Sequence, residues 1–303
     1  MKVAISGMSL KGKLGIIGIL VLILIIIQVQ FDIVDDIRRY FVGVEKDVYL
    51  EEKDIGRWYK HEVEKYVEEL AEQEYEPYRD AYFDPETDEI VPEKLGKKVL
   101  IKETVEKAME APPESKVEVK YLPLYPLITK EFLSSIDEPM ASFATGLGGG
   151  GGEGRITNIE ISSQDVNNTL LFPGQIFSFN RATLPRTWER GYRYAPILVN
   201  DTAMGIGGGV CQVSSTIYNV ALEADLEIVE RHPHGSPVDY VPPGRDATVA
   251  GDYLDLKFKN DTEHVLLLTA HVSQGLVKVD LYKSQEPFAL TVMRPVPLAF
   301  NNN

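Results

Sequence analysis

The chain is poor in cysteine, with one in 303 residues, Cys211. A single thiol excludes an internal disulfide, and with it the disulfide-stapled class of small secreted scaffolds. Positive charge is also in deficit. Thirty-one Lys and Arg stand against 46 Asp and Glu, a formal net charge of −15. All the acids follow residue 31 while Lys2, Lys11 and Lys13 precede it, so the remainder is more acidic still. Such a surface repels phosphate backbones and anionic headgroups, which excludes nucleic acid as a partner. No Rossmann fingerprint or P-loop is present, because Gly205-Ile206-Gly207-Gly208-Gly209 lacks the Lys-Ser/Thr ending that grips phosphate. No cofactor is expected. A small-x-small cleavage site is missing too: Ile27-Gln28-Val29-Gln30 is bulky, which favours an uncleaved anchor over a cleaved signal peptide.

What is present begins with that anchor. Leu14 to Ile27 is unbroken apolar sequence, extended past Gln28 by Val29 and Phe31. A helix from Leu14 to about Val34 approaches the roughly 20 residues that cross a bilayer. Lysines before it and Asp32, Asp35 and Asp36 after it leave the N-terminus in the cytoplasm and the rest outside. The expected layout is a cytoplasmic N-terminus (1–13), a transmembrane signal-anchor (14–34), a small α+β module (35–137), a second domain (138–283) and a C-terminal tail (284–303).

Within the module, Tyr59, Val63, Tyr66, Val67, Leu70 and Ala71 recur at helical spacing. A second helix is predicted over 102–110, where Glu103 and Lys107 form an i,i+4 pair. Val117, Val119 and Tyr121 alternate as a strand. The aromatic stripe reads as core, and nothing here suggests chemistry. The glycine run 148–152 reads as a mobile loop opening the second domain. Short apolar segments then alternate with turns at 170–180 and 195–199. One helix follows Cys211, with Val213, Ile217, Val220, Ala221 and Ala224 on one face. Strands are predicted over 226–229, 254–258, 265–270 and 276–281. The fold class is α+β, with one central helix, carrying the cysteine at its N-terminus, against a mainly antiparallel sheet.

Cys211 follows a glycine turn, Gly207-Gly208-Gly209-Val210-Cys211-Gln212, at the start of that helix. A helix start carries unpaired N–H groups and partial positive charge, which predicts a thiol that ionises easily. The backbone near Gly208, Gly209 and Gln212, with Ser214 close by, suits an oxyanion. A cysteine nucleophile needs a base. His232 and His234, in Arg231-His232-Pro233-His234, lie one helix and one short strand further on, and strand spacing sets both on the face of Leu226, Ile228 and Glu230. Arg231 and Arg245 are candidates to clamp a substrate carboxylate. Asp239, Asp246 and Asp252 are candidates to orient a histidine. The bland alternative is a buried cysteine acting as a small hydrophobe. Cys211, His232 and His234 also make a zinc donor set, but no fourth ligand accompanies them.

Several segments resemble the VanW family. They are Pro173-Gly174-Gln175-Ile176-Phe177-Ser178-Phe179-Asn180, Glu189-Arg190-Gly191-Tyr192, the run from Gly205 to Asn219, Glu230-Arg231-His232-Pro233-His234, and Val241-Pro242-Pro243-Gly244-Arg245-Asp246-Ala247-Thr248-Val249. Gln175 stands where Glu is common, and Gly235-Ser236 replaces Ser-Arg. Residues of about 40–137 are similar to the peptidoglycan-binding module that precedes VanW domains. The resemblance implies an extracytoplasmic cysteine L,D-transpeptidase that acts on peptidoglycan stem peptides and forms 3–3 cross-links through a Cys211 thioester. It is distinct from the YkuD type, whose histidine precedes its cysteine. The rival readings are a cysteine endopeptidase or carboxypeptidase that uses water, and a non-catalytic wall-binding protein.

Overall fold

The computed structural model describes residues 10–148, 150, 152–197 and 203–288. Much of the N-terminal lysine segment, two glycines of the 148–152 run, the end of the 195–199 segment and the tail from 289 onward lie outside the described residues.

In chain order the elements are α1 (Leu10–Val42), β1 (Tyr49–Leu50), β2 (Lys53–Asp54), α2 (Lys60–Gln73), β3 (Tyr82–Phe83), β4 (Ile90–Val91), β5 (Gly96–Val99), α3 (Ile101–Met109), β6 (Lys116–Val117), β7 (Tyr121–Leu124), α4 (Lys130–Ser134), β8 (Glu138–Gly146), α5 (Gly152–Val166), β9 (Thr169–Leu171), β10 (Ile176–Ser178), α6 (Phe179–Thr183), β11 (Tyr194–Pro196), β12 (Met204–Ile206), α7 (Val210–Glu223), β13 (Glu227–Glu230), β14 (Lys257–Lys259), β15 (Leu266–Ser273) and β16 (Leu276–Lys283). They form two compact units. One comprises the described residues to Arg79 with Leu95–Tyr125, the other Asp80–Lys94 with the described residues from Pro126 onward. Residues 80–94 and 126–137, which the sequence pattern groups with the first module, therefore cluster with the second.

In the first unit, α1 extends well beyond the expected 14–34 span. Its stretch Ile17–Val42 is long and apolar enough to cross a membrane, and none of it is buried. Below it, α2 and α3 pack around Val63, Val67, Val105 and Ala108, all nearly inaccessible. Two small sheets complete the unit: β2-β1-β6, in which β1 and β6 run parallel, and the antiparallel pair β5-β7.

The second unit is built on an antiparallel sheet of order β8-β16-β15-β9. Its first and last long strands are neighbours, registered from Leu276 opposite Gly146 to Lys283 opposite Glu138. Helices α5 and α7 pack on this sheet. A second sheet, β10-β14-β13, and the hairpin β11-β12 flank them. The sequence of α7 is rich in Ser, Thr, Val and Asn, each costing about 0.5 kcal/mol in a helix. Burial of Val213, Ile217 and Val220, at roughly 1.5–3 kcal/mol each, outweighs this. Helix α5 has no counterpart in the apolar pattern, because its buried face carries Asn158, Ser162 and Ser163 beside Ile159 and Val166.

Candidate active site

Gly209 caps α7 with φ 106°, a left-handed conformation that glycine adopts without strain. A Cβ there would lie 2.8 Å from the Arg155 side chain, and one on Gly208 would lie 2.5 Å from the Pro196 carbonyl. These glycines let the turn press against α5 and the β11 hairpin. Asn158 clamps the same turn. Its Nδ2 donates to the carbonyls of Gly208 and Arg193, both at 2.9 Å, and its Oδ1 accepts from the Arg193 amide at 2.7 Å.

Cys211 is the second residue of α7 and is half-buried. Its thiol donates to the Val249 carbonyl at 3.5 Å. The easily ionised thiol expected at a helix start is not what this environment produces. Burial pushes the Cys211 thiol above its ordinary value. Contact with the Val249 backbone and the charge of Arg186 pull the other way without overcoming it. The helix terminus offers partial charge, but desolvation of a thiolate dominates.

The cysteine opens into a cavity of about 690 Å³, whose lining includes Arg155, Arg186, Gly208, Gly209, Gln212, His234, Asp239, Tyr240, Thr248 and Tyr253. The two histidines part company here. The chain leaves β13 at Glu230, so strand spacing no longer governs them. His232 is 36% exposed and its Nε2 meets Glu230 Oε1 at 2.9 Å. The His234 side chain is 4% exposed and lines the cavity with Cys211. Its Nδ1 meets Asp246 Oδ2 at 2.8 Å, and its amide donates to the same oxygen at 2.6 Å. Its Nε2 is buried and has no hydrogen-bond partner. An Nδ1–H held by a carboxylate leaves Nε2 as the lone-pair nitrogen, the form a general base needs. Burial opposes ionisation of Asp246, but the amide and ring of His234 and the Arg231 guanidinium outweigh it and hold the carboxyl below its usual range.

The other expected residues take different places. Arg231 supports Asp246, its Nε donating to the Asp246 carbonyl at 2.6 Å and its Nη2 to Oδ1 at 2.9 Å. Arg245 meets Asn219 Oδ1 at 3.2 Å. Neither arginine lines the cavity. Gln212 is buried, its side chain held by Arg155, Thr145 and the Gly146 carbonyl. The Gln212 amide closes a turn on the Gly209 carbonyl at 3.0 Å, so that N–H is engaged. Ser214 and Ser215 tie α7 to the Asp246 loop. Ser214 Oγ donates to the Ala247 carbonyl at 2.6 Å, and Ser215 Oγ accepts from the Ala247 amide at 2.8 Å. Asp239 stands exposed at the cavity wall. Among the described residues no group of three His, Cys, Asp or Glu is set to hold a metal.

Sequence reasoning missed Arg155, Arg186, Asn158, Tyr240 and Thr248. Thr248 Oγ1 is a second buried polar atom without a partner in the cavity wall. The signal for Asn158 was its i,i+4 spacing from Ser162 in a segment that no apolar stripe explains.

A family model described as VanW like protein matches residues 154–282, which hold the glycine turn, Cys211, His234 and Asp246. Residues 154–282 form a VanW-like domain. The uncharacterised protein YoaR of Bacillus subtilis is 36% identical over 199 residues, covering 64% of this chain and 66% of the relative. The vancomycin B-type resistance protein VanW of Enterococcus faecalis is 28% identical over 145 residues, covering 46% of this chain and 52% of the relative. The matches thus span just under two thirds of one relative and about half of the other. No solved structure matches the chain. The cavity, its cysteine and its histidine lie within, or directly beside, the VanW domain.

Proposed function

We propose that this protein is a membrane-anchored, extracytoplasmic cysteine L,D-transpeptidase acting on peptidoglycan stem peptides. The observation that carries the reading is His234. Its Nε2 is a buried, unpartnered acceptor in the cavity that Cys211 shares, with Asp246 fixing the other nitrogen. An orphaned buried nitrogen is costly, and such cost is retained where a proton must be moved.

In this reading the thiol is stored protonated, and His234 Nε2 takes its proton when substrate arrives. The Cys211 sulfur attacks the carbonyl joining the diamino acid to the terminal D-alanine of a stem tetrapeptide. The C–N bond breaks, the imidazolium returns the proton to departing D-alanine, and a thioester remains. A side-chain amine of a second stem then attacks the thioester, loses a proton to His234 and restores the thiol, giving a 3–3 cross-link. The Gly208, Gly209 and Cys211 amides are the oxyanion donors, since those of Val210 and Gln212 close turns on Gly207 and Gly209. Helix α1 anchors the chain with its N-terminus in the cytoplasm, and the first unit holds the glycan wall.

The test is incubation of the full chain in detergent with tetrapeptide muropeptides, read by mass spectrometry beside Cys211→Ala. The expected product is a dimer lighter than two monomers by one D-alanine, with no water gained or lost, absent in the variant. Shortened monomers alone would make it a hydrolase, and unchanged substrate with folded protein would leave a wall-binding module.

A further inference from the structure

Two guanidinium groups line the Cys211 cavity, those of Arg155 and Arg186. In this unit the arginines that ion-pair with carboxylates among the described residues are Arg190, with Asp165, and Arg231, with Asp246. Arg155 and Arg186 are held by neutral groups instead. Arg186 Nη2 donates to Asn180 Oδ1 at 2.6 Å and Thr183 Oγ1 at 2.7 Å, and its Nε donates to Thr183 Oγ1 at 3.2 Å. The Phe179 ring lies 5.3 Å from its centre. Arg155 donates from Nη1 to the Leu147 carbonyl at 2.7 Å and from Nη2 to Gln212 Oε1. Each fork is oriented, and neither charge is neutralised by a contacting carboxylate.

A half-buried cation with only neutral partners is expensive, and desolvation already pulls the Arg186 pKa below its ordinary value. Asp165 and Asp255 act on it only from a distance. Asp239, the acidic residue of the cavity lining, is exposed. The hydrogen bonds of Arg186 use Nε and Nη2, which leaves Nη1 for a ligand. A guanidinium in that state is left to donate a charge-assisted hydrogen bond from Nη1 to a carboxylate oxygen.

We infer that Arg186, with Arg155 in the wall of the same cavity, forms a carboxylate subsite that captures the free C-terminal carboxylate of the donor peptide, one residue beyond the carbonyl Cys211 attacks. This rests on the acyl-transfer reading above and deepens it. The enzyme is exo-acting: it reads the end of the stem and releases one terminal amino acid, and it does not cut within longer peptides or existing cross-links. Arg231 and Arg245, the clamps expected from sequence, have no part in this.

The experiment compares two probes, N-acetylated L-Ala-γ-D-Glu-L-Lys-D-Ala with a free C-terminus and the same peptide ending in carboxamide. Binding is measured by calorimetry on the full-length Cys211→Ala chain in detergent, so no turnover is needed. The acid should bind roughly 10- to 100-fold tighter than the amide, the range of a charge-assisted hydrogen bond. In Arg186→Gln the ratio should fall toward one, and Arg186→Lys, which keeps the charge, should retain part of it. Equal binding of acid and amide overturns the subsite. So does a ratio that survives both Arg186→Gln and Arg155→Gln, or that responds only to the carboxylate of the γ-D-Glu residue. Intact-mass analysis of the Cys-containing chain separates the two claims. An Arg186-dependent preference without thioester or product leaves the subsite standing and removes acyl transfer. Products formed alike from acid and amide do the reverse.

Discussion

The two compact units solve the problem of a core in opposite ways. Among the described residues, Thr104 is the fully buried polar side chain of the first unit, while Val44, Val48, Leu50, Ile55, Val63 and Val67 fill its interior. The second unit buries Thr145, Asn158, Ser162, Asn180, Thr183, Gln212, Ser214, Ser215, Thr216, Asn219 and Asp255 among its apolar residues. An apolar core tolerates small shifts, whereas a hydrogen-bonded one allows a single arrangement. The polar wiring is concentrated on α5 and α7 and on the loops that meet them, where a site would need its geometry held. The first unit carries no comparable polar wiring among its described residues.

The contrast breaks most sharply at Asp246. Asp246→Asn keeps the size but loses the acceptor that fixes the His234 tautomer, and should lower transpeptidation about 10³-fold or more. His234→Ala should do the same, while His232→Ala stays within tenfold of wild type. A reversed order in the dimer assay would reassign the base. Next in size is Asn158→Ala, which strands three backbone partners around the glycine turn and should cost about 2–4 kcal/mol in denaturant unfolding, with activity falling as well. Its counterpart in the first unit, Val67→Ala, should cost about 1–3 kcal/mol and leave turnover intact. If both variants lose activity equally, the polar core is not what holds the site.

The thiol offers a finer probe. Because burial raises the Cys211 pKa, its alkylation by iodoacetamide should keep accelerating with pH beyond the ordinary thiol range, with no plateau at neutrality. A plateau near pH 7 would show a pre-formed thiolate. The smallest effect belongs to Glu230, whose carboxyl Lys257 and His232 hold down at about 2 against an ordinary 4.5. A depressed folded-state value adds stability above the ordinary value and loses it as pH falls from there toward 2. Glu230→Gln should lower stability at pH 7, where the ionised carboxyl contributes in full, and flatten acid unfolding between the ordinary value and about 2.

Much of this arrangement was legible along the chain. The glycine turn, the apolar face of α7 and the His-x-His segment are local patterns, and each marks one element. Which histidine shares the cavity of Cys211 was not legible, because strand spacing stops at Glu230 while the histidines lie beyond it. Helix α5 was hidden for a related reason. Its buried face is polar, and periodicity finds helices only through their apolar stripes. Arg155 and Arg186 were invisible because what distinguishes them is a missing counter-charge, a property of neighbours far apart in sequence. The acidified thiol was a wrong expectation, since a helix start reveals its partial charge in sequence but not how deeply it is buried.

The pairing of β8 with β16 has a consequence in time. The strand that opens the main sheet finds its partner only when the last long strand is made, and Ser142 meets Asp280 across the whole unit. Helix α7 packs against both of these strands. A nascent chain that has emerged as far as Cys211, or even His234, therefore owns its reactive groups without the platform that sets them together. The final hairpin acts as a release catch, and a ribosome that stops before Leu276 delivers the cysteine and the histidine without the sheet that α7 packs on.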